Sequence, residues 1–277
     1  MQSYQELLDR SERSGLPLDR LVREELQKLI LRFLGERRFF ESGVFRGGTA
    51  IRLLYGGARF SEDLGFVFRK KNSKVFFDLA GILAGLEGFL GRQAPFLEDI
   101  GLSEQKSSGT LSRFRARAGW AEPEGRVIVN LEFANVRSFM SDVRLLRVDP
   151  VDVPVRVEEE SEILADKLVA LGLREYIKGR DLWDIAFLAR ERGVRLPDHK
   201  LVLEKAGEYG RGPSDFVADL RARLPLLEKE GGKALDAEMR RFLPPGLYRD
   251  LAGTFADTIV RVCGFVAAAV GRLERLS

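Results

Sequence analysis

The 277-residue chain has one cysteine and one histidine, and these two scarcities remove whole classes of chemistry. Cys263 stands alone in an apolar run, so there is no disulfide framework and no cysteine zinc site, as fits a reducing, cytoplasmic setting. His199, in Leu-Pro-Asp-His-Lys, reads as a solvated loop residue. Its being alone argues against a histidine-dependent triad and against histidine-rich metal centres. Long apolar runs are missing too: residues 258–270 are interrupted by Arg261 and are too short to span a bilayer. The first ten residues are charged and carry no signal-peptide core, so no membrane partner is expected. Net charge is only +3, which neither requires nor excludes an RNA partner. No internal repeat or low-complexity tract is present.

What remains is a composition of 45% hydrophobic and 31% charged residues, that of a soluble globular protein of one or two domains. The organising stretch is 45–68, F-R-G-G-T-A-I-R-L-L-Y-G-G-A-R-F-S-E-D-L-G-F-V-F. It reads as a strand end, a Gly-Gly turn, a short helix over 49–55, a loop and a second strand. Gly47 and Gly48 allow a tight turn and a close backbone approach. The helix that follows aims its N-terminal N–H groups at that turn, which makes a phosphate seat. From Glu62 the pattern alternates, with Leu64, Phe66 and Phe68 toward a core and Asp63, Gly65 and Val67 on the other face. A carboxylate at a strand start beside such a seat suits a Mg²⁺-nucleotide site.

Elsewhere, residues 17–34 form an amphipathic helix, and 73–90 form a second one weakened by Gly81, Gly85 and Gly88. Residues 111–118 and 127–134 alternate as strands. The first puts Phe114, Ala116 and Ala118 against Arg113, Arg115 and Arg117. The second leaves Asn130 and Glu132 on the face away from its core side chains. Three guanidiniums on one strand face either contact RNA backbone or are simply solvated. Glu132 is either a second acid for the metal or a solvated strand glutamate. Residues 148–157, with Pro150 and Pro154, read as an extended linker, placing a domain boundary between 1–155 and 156–277. Beyond it the chain reads as helical.

Helix 161–176 carries Lys167 within its buried stripe, where a lysine must snorkel out or meet an anion. Residues 178–185, K-G-R-D-L-W-D-I, open a further helix, with Asp181 suited to an N-cap and Asp184 to the same end in capping-box style.

The motifs G-G-T-A-x-R-L-L-Y-G…R-F-S-E-D-L, K-L-V-A-L and R-D-L-W-D together resemble the AbiEii/MenT-like nucleotidyltransferase toxins of abortive-infection and toxin–antitoxin systems. These lie within the DNA-polymerase-β-like nucleotidyltransferase superfamily. The resemblance covers 45–68 and 163–188. It implies an α+β fold: a polymerase-β-like nucleotidyltransferase domain with a small mixed sheet flanked by helices, then a mostly helical C-terminal domain. It implies transfer of a nucleoside monophosphate from an NTP to RNA, most plausibly a tRNA 3′ end, with Mg²⁺ or Mn²⁺, and a cognate antitoxin. By the same resemblance Asp63, Lys167, Asp181 and Asp184 are catalytic. Asp63 and Glu132 hold the metal. Gly47, Gly48, Thr49, Ser61, Lys167 and Arg174 serve the nucleotide. These front and back groups are expected to converge on one cleft. The superfamily signature has a second aspartate where this chain has Gly65, leaving a metal with fewer protein ligands. Two other readings stay open: a non-catalytic NTP- or RNA-binding protein, and a nucleotidyltransferase that modifies protein hydroxyls.

Overall fold

The computed structural model describes residues 3–121 and 124–275. It divides into two compact units, Met1–Gly56 with Phe60–Glu158 and Gly57–Arg59 with Glu159–Ser277.

The first unit is a mixed sheet with helices. Its helices are α1 (Tyr4–Ser14), α2 (Leu18–Glu36), α3 (Gly47–Leu54), α4 (Lys74–Phe77), α5 (Leu79–Leu83) and α6 (Leu86–Gln93). Its strands are β1 (Gly43–Arg46), β2 (Asp63–Phe68), β3 (Glu98–Ser107), β4 (Leu111–Trp120), β5 (Gly125–Arg137), β6 (Ser141–Val148) and β7 (Val151–Glu158). They form one sheet in the order β3-β4-β5-β2-β1-β7-β6. β2 runs antiparallel to β1 and parallel to β5, and β7 joins β1 in parallel at Phe45↔Val157.

Alternation explains which side is buried. Leu64, Phe66 and Phe68 of β2 and Val129, Leu131 and Phe133 of β5 are fully enclosed. Phe66 stacks on Phe133 with ring centroids 4.9 Å apart, and Phe39 meets both edge-on. α2 packs near this face through its contacts with β5 and β7; its Leu26, Leu29, Ile30 and Phe33 are all buried. Each such side chain contributes about 1.5–3 kcal/mol by leaving water.

Two expectations change here. The helix over 73–90 is three short pieces: Asp78 leaves helical geometry between the first two, and Gly85, in the left-handed region at φ +83°, ends the second before the third begins. Residues 148–157 are not a linker: they form most of β7, paired with β6 from Val148↔Val151 to Ser141↔Glu158. Pro154 is tolerated because β1 meets β7 only at Val157, so no ladder donor is needed from residue 154 on that side.

The second unit is helical: α7 (Glu160–Leu173), α8 (Gly179–Ala186), α9 (His199–Glu208), α10 (Pro213–Phe242), α11 (Pro245–Leu251) and α12 (Phe255–Glu274). α10 is its spine, packing on α7, α8 and α12. His199 is the first residue of α9 instead of a loop residue, after the N-cap Asp198. The stretch Pro245–Glu274 is long and apolar enough to cross a membrane by length and composition. In the fold, the α12 residues Phe255, Ile259, Val262, Val266 and Leu273 are buried, and that helix packs on α10. Burial pushes the Cys263 thiol up, with Glu228 adding to it, which disfavours the nucleophilic thiolate.

Candidate active site

In the first unit the site grows from the end of β1. Gly47 has φ +82°, a conformation that a side chain would strain, and it turns the chain from β1 into α3. Thr49, 1% exposed, donates its hydroxyl to the Asp63 carbonyl and so pins the first turn of α3 to the start of β2. The Gln27 amide donates to the Ser61 carbonyl at 2.9 Å, fixing the approach to β2. Thr49 thus serves by position; its hydroxyl is already committed to backbone.

Asp63 is partly exposed at the first position of β2. Its Oδ1 accepts from the Asn130 amide at 2.8 Å, so the neighbouring strand sets the carboxylate's orientation. Pairing puts Asp63 opposite Asn130 and Gly65 opposite Glu132, so Asp63 and Glu132 share one sheet face. Arg113, Arg115 and Arg117 of β4 face the same way, opposite Glu132, Asn130 and Ile128. Arg113 is not simply solvated: its Nη2 lies 2.7 Å from Glu132 Oε1. Arg46, opposite Gly65, completes that row and was not singled out from the sequence.

This donor set fits one Mg²⁺ delivered with a triphosphate. Asp63 keeps an oxygen that Asn130 does not take, Glu132 stands two strand positions along, and Mg²⁺ commonly uses one or two carboxylates plus phosphate and water oxygens. Among the described residues no group of three or more His, Cys, Asp or Glu is placed to hold a metal by itself.

In the second unit Lys167 meets anions instead of snorkelling. Its Nζ lies 3.0 Å from Asp181 Oδ1 and 2.6 Å from Asp184 Oδ2. Asp181 also takes an ion pair from Arg174. Asp184 is fully buried and gripped through both oxygens by Arg59, each contact 2.6 Å. Burial by itself would raise the Asp184 carboxyl, but Arg59 and Lys167 outweigh it and hold the carboxyl below its usual range. Burial likewise works against the Arg59 charge, and Asp184 overcomes it, raising the guanidinium above its ordinary value.

The capping expectation for Asp181 is corrected by the same contacts. The N-cap of α8 is Lys178, and Asp181 lies inside the first turn with its carboxylate on Lys167 and Arg174. The helix start is capped instead by Glu238, whose carboxylate accepts from the Arg180 N–H at 2.5 Å. Gly179 lets α8 begin against α10, since a Cβ there would stand 2.2 Å from the Ala234 carbonyl oxygen.

The structure therefore gathers Lys167, Arg174, Asp181 and Asp184 in one unit, and Gly47, Gly48, Thr49, Ser61, Asp63 and Glu132 in the other. Arg59 was legible only as the arginine of the R-F-S-E-D-L motif; its buried partner lies 125 residues away. Asn130 gave only the signal of sharing a strand face with Glu132.

Three comparisons bear on this site. The family model described as "Nucleotidyl transferase AbiEii toxin, Type IV TA system" matches residues 28–259. No curated protein sequence matches the chain. Among solved structures, a candidate nucleotidyltransferase from H. pylori is 21% identical, with a TM-score of 0.54 over 95% of this chain and 99% of that one. JHP933 from Helicobacter pylori is 22% identical, with a TM-score of 0.53 over 94% of this chain and 95% of that one. At that identity the two structures support the fold alone.

Proposed function

We propose that this chain, which belongs to the AbiEii nucleotidyl transferase toxin family of type IV toxin–antitoxin systems, transfers a nucleoside monophosphate from an NTP to RNA, with the 3′ end of a tRNA as acceptor and Mg²⁺ as cofactor. The setting is cytoplasmic, and the family implies an antitoxin partner. Abortive infection of phage-infected cells is the physiological role that follows. The observation that carries the reading is the Asp63 carboxylate, oriented by Asn130 and tied through its own carbonyl to the first turn of α3.

In this reaction the acceptor's 3′-hydroxyl oxygen bonds to the α-phosphorus and the α–β bridging bond breaks. Pyrophosphate leaves with its electron pair, and the hydroxyl proton passes to solvent. Bound Mg²⁺ would neutralise phosphate charge and support the departing pyrophosphate. Asp63, helped by Glu132, would hold it. The Gly47–Gly48 turn offers backbone N–H groups to phosphate oxygens, and the preorganised dipoles there require no rearrangement during the reaction. In the second unit three cations, Arg59, Lys167 and Arg174, share two aspartates. One positive charge is left over within that unit. Arg115 and Arg117, both exposed, are suited to RNA phosphates.

The test is label from an α-³²P NTP appearing in tRNA with Mg²⁺ and disappearing in Asp63→Ala. No transfer to any cellular RNA or protein overturns the reading. The absent carboxylate at Gly65 favours one rival, a protein that binds NTP without turnover; nucleotide binding insensitive to Mg²⁺, with no product, would establish it. Label on protein instead of RNA would identify a protein-modifying enzyme.

A further inference from the structure

We propose, resting on the nucleotidyl-transfer reading, that the turn between β2 and α4 is a further contact for the acceptor RNA, holding unpaired nucleotides away from the reacting 3′ end. Residues 69–78, R-K-K-N-S-K-V-F-F-D, carry four cations and one acid. Arg69, Lys70 and Lys74 are exposed. Phe77 is 66% exposed, while its neighbour Phe76 is buried against Phe68. The turn lies apart from the site around Asp63. That residue opens β2 and the turn follows the strand's last residue, roughly 20 Å away at about 3.3 Å per residue.

This turn is clamped. Asn72 stands at φ +57°, the left-handed region that asparagine tolerates better than most residues. Its backbone N–H donates to Asn135 Oδ1 at 2.8 Å, and Asn135 Nδ2 donates back to Asn72 Oδ1 at 2.9 Å. The same Nδ2 reaches the Gly109 carbonyl at 2.8 Å. Asn135 is 3% exposed, so a buried amide of β5 fixes the backbone from which the cations project. A contact surface ordered in advance loses less freedom when a ligand arrives.

The surroundings leave the positive charge in surplus. Glu41, whose carbonyl accepts from Arg69, has its carboxylate 2.7 Å from Arg38. The neighbouring turn that Asn135 also holds, residues 107–110, is Ser-Ser-Gly-Thr and uncharged. Lys71 and Arg137 have contacts of their own within the fold, Arg137 over the Phe139 ring, and neither is counted. Arg69, Lys70 and Lys74 then stand against one acid, Asp78. An aromatic ring among cations suits unpaired RNA, because a base of any kind stacks on the ring while flanking phosphates meet the cations. An anionic membrane is the poorer match, since a single exposed ring, with Phe76 turned inward, offers little to insert.

The experiment follows the fluorescence anisotropy of a labelled twelve-nucleotide single-stranded RNA on the full chain. Lys70→Gln combined with Lys74→Gln should lower the slope of log affinity against log salt by about 1.4, at about 0.7 for each single-strand phosphate released. Phe77→Ala should weaken binding about tenfold, and Phe77→Trp should retain it. Nucleotidyl transfer to a dinucleotide acceptor, too short to span from Asp63 to the turn, should be equal in all of these variants. Urea midpoints should hold, because the substituted side chains are exposed. An unchanged slope in the lysine variant, or unchanged affinity in Phe77→Ala, would overturn this inference and leave nucleotidyl transfer standing. So would loss of binding to phosphatidylserine vesicles in these variants with RNA affinity intact. No product from the wild type on either acceptor would overturn the reading beneath it, whereas the binding results still decide whether the turn holds RNA.

Discussion

Removing Arg59 and removing Lys167 should separate stability from activity, although both side chains hold the same carboxylate. Asp184 has no exposed surface and receives two 2.6 Å contacts from Arg59 and one 2.6 Å contact from Lys167. Breaking a buried pair by deleting one partner costs about 3–5 kcal/mol, because a charge is left behind in low dielectric. In Arg59→Met the lysine stays in place, so the lower end applies, about 3 kcal/mol. In Lys167→Met both aspartates keep an arginine, Asp184 its Arg59 and Asp181 its Arg174. Only hydrogen bonds to charged groups are then removed, about 1.5–2 kcal/mol, the low end of their range because the lysine is partly exposed. At a urea slope of about 1.5–2 kcal/mol per M, Arg59→Met should lower the midpoint by roughly 1.5–2 M and Lys167→Met by about half to two thirds of that. The two tryptophans fall in different units, Trp120 in β4 and Trp183 in α8, so fluorescence in a Trp120→Phe background reports on the second unit. Pairing Arg59→Met with Asp184→Leu should restore much of the loss, since no lone charge at Asp184 is then buried. Activity should run the other way, with Lys167→Met the more damaging at temperatures where both variants are folded. Equal midpoints for the two single variants, or a double variant as unstable as the sum of its parts, would refute this account of the cluster.

Asp184 also sets an acid limit. Its carboxyl lies below the usual range when folded, so its stabilising contribution is complete above the unfolded carboxylate pKa, about 4. It is lost as pH falls from there toward the lower folded value. Urea midpoints followed by Trp183 should therefore be flat from pH 7 to 5 and fall below about pH 4, and Asp184→Asn should flatten that fall. Gly47→Ala forces a Cβ onto a φ of +82° and should cost about 1–2 kcal/mol by thermal unfolding, with weaker triphosphate binding, although the space around it is open. Arg115→Ala with Arg117→Ala should reduce the slope of log RNA affinity against log salt by about one unit for each phosphate no longer neutralised, while nucleotide affinity stays unchanged. An unaltered slope would remove that strand face from RNA recognition.

Local alternation carried a large share of the fold on its face. Phe66, Phe68, Val129, Leu131 and Phe133 had to lie on one side of their strands whatever the sheet order. Asp63, Glu132 and the β4 arginines had to lie on the other. The strand at 151–158 was hidden because Pro154 reads as a breaker until one knows that its N–H side meets no neighbour at that point. Local spacing suits Asp181 to a helix cap because capping is judged over three or four residues. Lys167 and Arg174, 14 and 7 residues away, are what its carboxylate answers.

The sequence by itself determined which residue types exist to do chemistry. With one histidine and one cysteine, the work falls to carboxylates, cations and a glycine turn, because those are the polar groups set at strand starts and within a helix stripe. Only the tertiary structure decided which charges neutralise each other. That Arg59 grips Asp184 across 125 residues, and that Arg46 and Arg113 flank a glycine and a glutamate on the strands between them, follows from strand order and helix packing. Coulomb interactions depend on separation in space, which spacing along the chain does not encode beyond a turn of helix or a pair of strand positions.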